Sequence, residues 1–179
     1  YPLVSKAKVS GPWSVLAPNL VFVDLPGTGD DNAVRNDIAQ REFKRADFVC
    51  VCARVDRAVT DKASLQWLDK SLRDMPSDNV AYVVTKCDDV SADEIRRDHG
   101  MRRGSCSKAA EKRNELIKKQ LSAKSVQVFT VSSRDYARCI GLEDGVPAAF
   151  LTEEATQIPA VRKHIVDSMK SRKIKAIHT

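Results

Sequence analysis

Apolar and polar positions along the 179-residue chain switch between two rhythms. Leu20–Val23 (LVFV), the core of Asp47–Ala53 (DFVCVCA), Val80–Val84 (VAYVV) and Ser125–Val131 (SVQVFTV) are short runs rich in β-branched and aromatic residues. Such runs are expected of strands buried on both faces of a parallel sheet. Between them the apolar residues recur every three or four positions, as on one face of a helix. This predicts a helix over Asn32–Ala46, with Val34 and Ile38, then Ala39 and Phe43, one turn apart and Asp30, Asp31 and Asn32 near its start as caps. A second helix follows Thr60 as its cap, with Leu65, Leu68 and Leu72 on one face. A third spans Ala109–Leu121, with Ala110, Leu116, Ile117 and Leu121 inward, and a last one has Pro159 in its first turn and Ile158, Val161, Ile165 and Met169 as its stripe.

The connections are equally legible. Leu3–Val9 alternates weakly as a strand would, and Gly11-Pro12 breaks it. Ser91 and Glu94 have capping-box spacing for a short helix inside the Arg-rich stretch from Cys87 to Lys108. Ser132–Thr156 reads as a long loop with Gly141 and Gly145 that can carry a helical turn. Strand and helix alternating at this rhythm predict an α/β fold, a mainly parallel sheet with helices on both faces. Ligand chemistry in such sheets collects at the carboxyl ends of the strands.

Composition changes this picture little. No run approaches the ~20 apolar residues of a membrane span, and the first residues lack the pattern of a signal peptide. The five cysteines are odd in number and without paired metal-ligand spacing, which fits a reducing intracellular compartment. Cys50 and Cys52, two apart in an apolar run, are expected as small buried hydrophobes on one face of a strand. The net charge of +6 admits nucleic acid or an acidic membrane as partner. The basic residues are interleaved with Asp and Glu and lack a regular aromatic accompaniment, so solvated helix faces explain them better, with the basic stretch Arg96–Arg103 the place for a nucleic-acid contact.

The strand ends carry the chemistry. LVFV runs into Asp24-Leu25-Pro26-Gly27, VAYVV into Thr85-Lys86-Cys87-Asp88, and SVQVFTV into Ser132-Ser133. Asp24-x-x-Gly27 suits a nucleotide phosphate, the carboxylate holding Mg²⁺ through its water shell and the Gly27 N–H meeting the γ-phosphate. A plain strand-ending turn is the competing reading. A dinucleotide fingerprint opening at Gly27-x-Gly29 fails because Asn32 stands where its third small residue belongs. Guanine presents N1–H and N2–H₂ on one edge, and the ionised Asp88 can accept from both. The Lys86 stem can lie over the base plane with its ammonium in water, and Ser132 and Ser133 can meet the guanine carbonyl.

D-x-x-G, T-K-x-D and a short serine segment, in that order, resemble the third, fourth and fifth motifs of the GTPases. The chain resembles in particular the dynamin-like large GTPases of the SLIP-GC-type nuclear group, through VDLPGTGDDNAVR (Val23–Arg35), RAVTDKAS (Arg57–Ser64), VVTKCDD (Val83–Asp89), VSSRDY (Val131–Tyr136) and QIPAVRKHI (Gln157–Ile165). The resemblance implies a three-layer fold of the P-loop NTPase type and binding and hydrolysis of GTP with Mg²⁺. It implies nucleotide contacts from Asp24, Gly27, Thr85, Lys86, Asp88, Ser132 and Ser133, with Asp24 also serving the metal. It also implies self-association through the GTPase domain and a nuclear or cytoplasmic place. No G-x-x-x-x-G-K-[ST] occurs, and Thr28 stands where small GTPases carry a water-orienting Gln. The expectation is therefore the C-terminal two-thirds of a GTPase domain over about residues 1–170, lacking its first strand and phosphate loop, with a further helical segment starting at 170–179. By itself such a chain is expected to be inactive, and a non-catalytic GTPase-fold module for protein or nucleic-acid contacts is the alternative.

Overall fold

A computed structural model describes residues 8–12, 16, 20–25, 33–91, 93–94 and 105–177, of which 33–36, 105 and 171–177 by backbone only. Among the described residues three strands, β1 (Val49–Arg54), β2 (Val80–Thr85) and β3 (Gln127–Thr130), form a parallel sheet in the order β1-β2-β3. Five helices among the described residues alternate with them: α1 (Ala33–Phe43), α2 (Lys62–Asp74), α3 (Ser105–Leu121), α4 (Ser133–Cys139) and α5 (Ile158–Ile177). Val80–Val84 are all buried on β2, as an apolar run in a central parallel strand requires.

Each sheet face has its own core. Val51, Ala53, Val80, Tyr82, Val84 and Val128 pack with Leu68 of α2 and Ala110, Ile117 and Leu121 of α3. Ala81, Val83, Phe129 and Val131 point the other way, toward Ile158 and Val161 of α5. His164 of α5 stands edge-on to Phe48 and tilted against Phe129, with ring centroids 5.6 and 5.4 Å apart. Tyr82 is fully buried and donates its hydroxyl to the Ala58 carbonyl at 2.7 Å, so a large ring enters the core with its polar end paired.

The expected α/β alternation is present, and the differences from the sequence reading have physical causes. Leu20–Leu25 forms no strand, and Val21, Phe22 and Val23 are 82%, 54% and 48% exposed. An apolar run becomes a strand only where a neighbour takes its backbone groups, and among the described residues β1 pairs with β2 alone. Cys50 and Cys52 do share one face of β1, but that face is exposed rather than buried. Among the described residues the α5 contacts lie over β2, β3 and Phe48, which precedes β1.

Helix ends and faces shift as well. Asp61, not Thr60, caps α2, accepting the Ala63 N–H at 3.2 Å, while Thr60 donates its hydroxyl to the Arg57 carbonyl. On α3 the buried stripe runs through Ala110, Asn114, Ile117 and Leu121 at four- and three-residue steps; Leu116 falls off it and is 53% exposed. The presumed loop after β3 opens with the two-turn helix α4. Its sequence signal is Ser132-x-x-Asp135, a capping spacing. The Ser91–Glu94 box is formed as the spacing predicts: the Ser91 N–H donates to Glu94 Oε2 at 2.7 Å, and the Glu94 N–H donates to Ser91 Oγ at 3.2 Å. Of the expected Leu3–Val9 strand, Lys8 and Val9 are not in a strand and the rest lies outside the described residues, as do the proposed caps Asp30–Asn32 and the basic stretch Arg96–Arg103.

Candidate functional site

The carboxyl ends of β2 and β3 open onto a cleft lined by Thr85, Lys86, Asp88, Asp89, Val90, Ser133, Arg134, Arg138 and Ala148. Four of the residues singled out from the sequence therefore meet here: Thr85, Lys86, Asp88 and Ser133. The reason is the parallel register. Val84 pairs with Thr130, so both strands end at one level and the segments that follow leave the sheet side by side.

The turn after β2 is tightly specified. Lys86 takes a left-handed backbone, φ 58°, which costs a non-glycine residue about 1–2 kcal/mol. The turn is held by the Asp89 N–H donating to the Lys86 carbonyl at 3.0 Å and the Cys87 N–H donating to the Val131 carbonyl at 3.1 Å. Its result is alternation: Lys86 points to solvent, Cys87 is fully buried, and Asp88 faces the cleft. Burial pushes the Cys87 thiol up to about 12 and keeps it a neutral packing group.

Ser132 plays a different part from the one the sequence suggested. It is fully buried behind the cleft rather than lining it. Its hydroxyl donates to Asp88 Oδ1 at 2.7 Å and accepts the Asp135 N–H at 3.0 Å as the N-cap of α4. Its own N–H donates to the Thr156 carbonyl at 3.2 Å, so it is not available to a ligand. Asp88 is thus oriented by one oxygen, and among the described residues its Oδ2 accepts no hydrogen bond.

Two further residues fix this geometry, and pattern reading did not single them out. Arg113 of α3 reaches under the turn and donates to the carbonyls of Cys87 and Asp89, which bracket Asp88, at 2.7 and 2.6 Å. It also pairs with Glu94 at 3.2 Å. Burial raises the pKa of Glu94, but the Ser91 amide, the Arg113 charge and their hydrogen bonds outweigh it, so the carboxyl sits below its ordinary value. Asp135 is fully buried and accepts the N–H groups of Ala148, Ala149 and Phe150 at 2.7, 2.9 and 2.9 Å, drawing that loop over the cleft.

Asp24 does not line this cleft; it lies beside β1. Its charge adds to the desolvation of the Cys52 thiol by neighbouring atoms in raising that group's pKa. Gly27 lies outside the described residues. Among the described residues no cluster of three or more His, Cys, Asp or Glu side chains could hold a metal, and no helix is long and apolar enough to cross a membrane.

No family model and no solved structure matches the chain. Two curated proteins do. It is 28% identical over 193 aligned residues to the nuclear GTPase SLIP-GC of Homo sapiens, covering 99% of this chain and 24% of that protein. It is 28% identical over 181 residues to the nuclear GTPase SLIP-GC of Mus musculus, covering 92% of this chain and 23% of that protein. The chain spans about a quarter of the length of these relatives. With an alternating α/β fold around a parallel sheet, it is a distant homologue of the nuclear GTPase SLIP-GC over nearly its whole length.

Proposed function

We propose that the cleft reads guanine, and that the chain is the base-reading part of a Mg²⁺-dependent GTPase domain of the P-loop NTPase, dynamin-like type. One observation carries this reading: Thr85, Lys86, Asp88 and Ser133 converge on a single cleft with Asp88 held by Ser132. The donor set fits the base. Among the described residues Asp88 Oδ2 accepts no hydrogen bond, and Oδ1 keeps acceptor capacity beyond the Ser132 bond, so the carboxylate can take both N1–H and N2–H₂ of guanine. The exposed stem of Lys86 can cover the ring. The Ser133 N–H starts α4 and has no intrahelical partner, so it can meet the guanine carbonyl.

In the same reading Asp24 and Gly27 serve Mg²⁺ and the γ-phosphate, the metal supplying charge to the phosphate oxygens. The names of the relatives support a nuclear place. Self-association through the GTPase domain belongs to this reading, and a nucleic-acid contact of the basic stretch is the weaker partner proposal.

The test is a base swap in the full-length protein. Asp88→Asn should weaken GTP binding about tenfold to a hundredfold, since charge-assisted hydrogen bonds worth about 1.5–3 kcal/mol are lost. The same change should relax the preference for GTP over XTP, because xanthine offers a carbonyl where guanine offers an amine. An unchanged GTP/XTP preference would remove Asp88 from the site. Tight GTP binding without phosphate release would make the domain a non-catalytic module.

A further inference from the structure

Beyond the residues of the T-K-x-D and serine segments, we propose that Asp135 is a specificity-positioning residue, whose buried carboxylate builds the far wall of the base cleft. The inference rests on the guanine reading of that cleft. Asp135 touches no ligand in this arrangement. It acts in two directions from one buried point.

Toward the loop, Oδ1 accepts the Ala148 N–H at 2.7 Å, and Oδ2 accepts those of Ala149 and Phe150, each at 2.9 Å. Three successive amides are thereby turned inward, away from the cleft, and Ala148 is left as an exposed methyl on its wall. Phe150 is carried into the core beside Ala149, which anchors the loop from beneath. Arg138, another lining residue, donates to the Val146 carbonyl at 3.3 Å and so ties the same loop to α4. Toward the base, the Asp135 N–H donates to Ser132 Oγ at 3.0 Å. With that lone pair occupied, the single hydroxyl hydrogen of Ser132 is directed to Asp88 Oδ1 at 2.7 Å. The wall is therefore set by the Asp135 carboxylate, while the orientation of Ser132 toward Asp88 is set by the backbone amide of the same residue.

An ordinary helix cap does not explain the arrangement. A capping Asp at this position would reach back to the N-cap amide. Here the carboxylate instead turns from its own helix to a segment thirteen to fifteen residues away. Asn cannot replace it, because an amide nitrogen would present a donor to an inward-pointing N–H.

The experiment uses the full-length protein and calorimetric binding of GDP, with Asp88→Asn and Asp135→Asn side by side and inorganic triphosphate as a probe without a base. Asp135→Asn should raise the Kd for GDP by up to about tenfold, because binding must then re-order a wall that has lost one charge-assisted hydrogen bond. Binding stoichiometry and triphosphate affinity should not change. A purely structural role would lower the stoichiometry and leave Kd alone, and that result would overturn the inference. So would an unchanged Kd for Asp135→Asn while Asp88→Asn loses its preference for GDP over XDP; the guanine reading would then stand by itself. If Asp88→Asn keeps that preference, the guanine reading fails and this inference fails with it. Should Asp135→Asn not fold, Ala148→Leu decides. It adds bulk at an exposed wall position, and a raised Kd for GDP supports the wall while an unchanged one removes it.

Discussion

Replacing Arg113 by Met should loosen the turn that carries Asp88 without emptying the space beneath it. Methionine keeps much of the aliphatic stem and removes the guanidinium. Three interactions go: the bonds to the Cys87 and Asp89 carbonyls at 2.7 and 2.6 Å and the Glu94 pair at 3.2 Å. They are not equal. The Cys87 carbonyl lies under the turn and loses a charge-assisted bond worth about 1.5–3 kcal/mol. The Asp89 carbonyl is open to water, which replaces most of what is lost. The Glu94 pair, with side chains 17% and 31% exposed, is partly screened and adds about 0.5–1 kcal/mol. With water entering at the exposed end, the net loss is about 2–3 kcal/mol, or about 30- to 150-fold in the equilibrium for opening the turn. Native-state hydrogen exchange reads this directly. The Asp89 and Ser91 amides, bonded to the Lys86 carbonyl and the Glu94 carboxylate, should exchange faster by that factor in Arg113→Met. The Val83 amide on central β2, which exchanges through global opening, should remain better protected than either. Exchange at Asp89 and Ser91 within threefold of the parent protein would refute the reasoning, since it would mean that the turn holds itself. Arg113→Lys should recover only part of the protection, because one ammonium cannot span two carbonyls in fork geometry.

Glu94 should show the same coupling in its pH dependence. Its folded-state pKa is depressed, so its contribution is fully present above the unfolded value and is lost as pH falls through the depressed folded value; an NMR titration should find Glu94 below its ordinary value, with the Ser91 amide resonance moving alongside, and in Arg113→Met the titration should move up. Leu68→Ala empties a fully buried position between α2 and the sheet; it should cost about 2–5 kcal/mol in denaturant unfolding, and a loss under 1 kcal/mol would mean that this layer is not tightly packed.

The sequence by itself determined the elements whose signals are local. The run VAYVV reads as a strand buried on both faces, since it holds four aliphatic side chains and one aromatic ring, and β2 is that strand. The Ser91–Glu94 box formed because its two bonds close within one turn of chain. Ile158 and Val161 of the α5 stripe pack against the sheet, and Ile165 is buried, because helical geometry carries such residues to one side. The cleft was also legible in part: Thr85, Lys86, Asp88 and Ser133 follow strands of a parallel sheet, and parallel strands end together.

Pairing decided the rest. LVFV has the composition of a strand but lies exposed, and Cys50 and Cys52 face outward, because burial requires a neighbour that the run itself cannot supply. Ser132 sits behind Asp88 instead of beside the ligand space because the start of α4 turns it inward. Periodicity singled out neither Arg113 nor Asp135, one being a charged residue on a charged helix and the other standing in a stretch that read as a loop. Their roles arise from contacts 24 and 26 residues away for Arg113 and thirteen to fifteen away for Asp135. Sequence periodicity records which face of an element is apolar; it holds no record of which distant carbonyl or amide a buried charge will find.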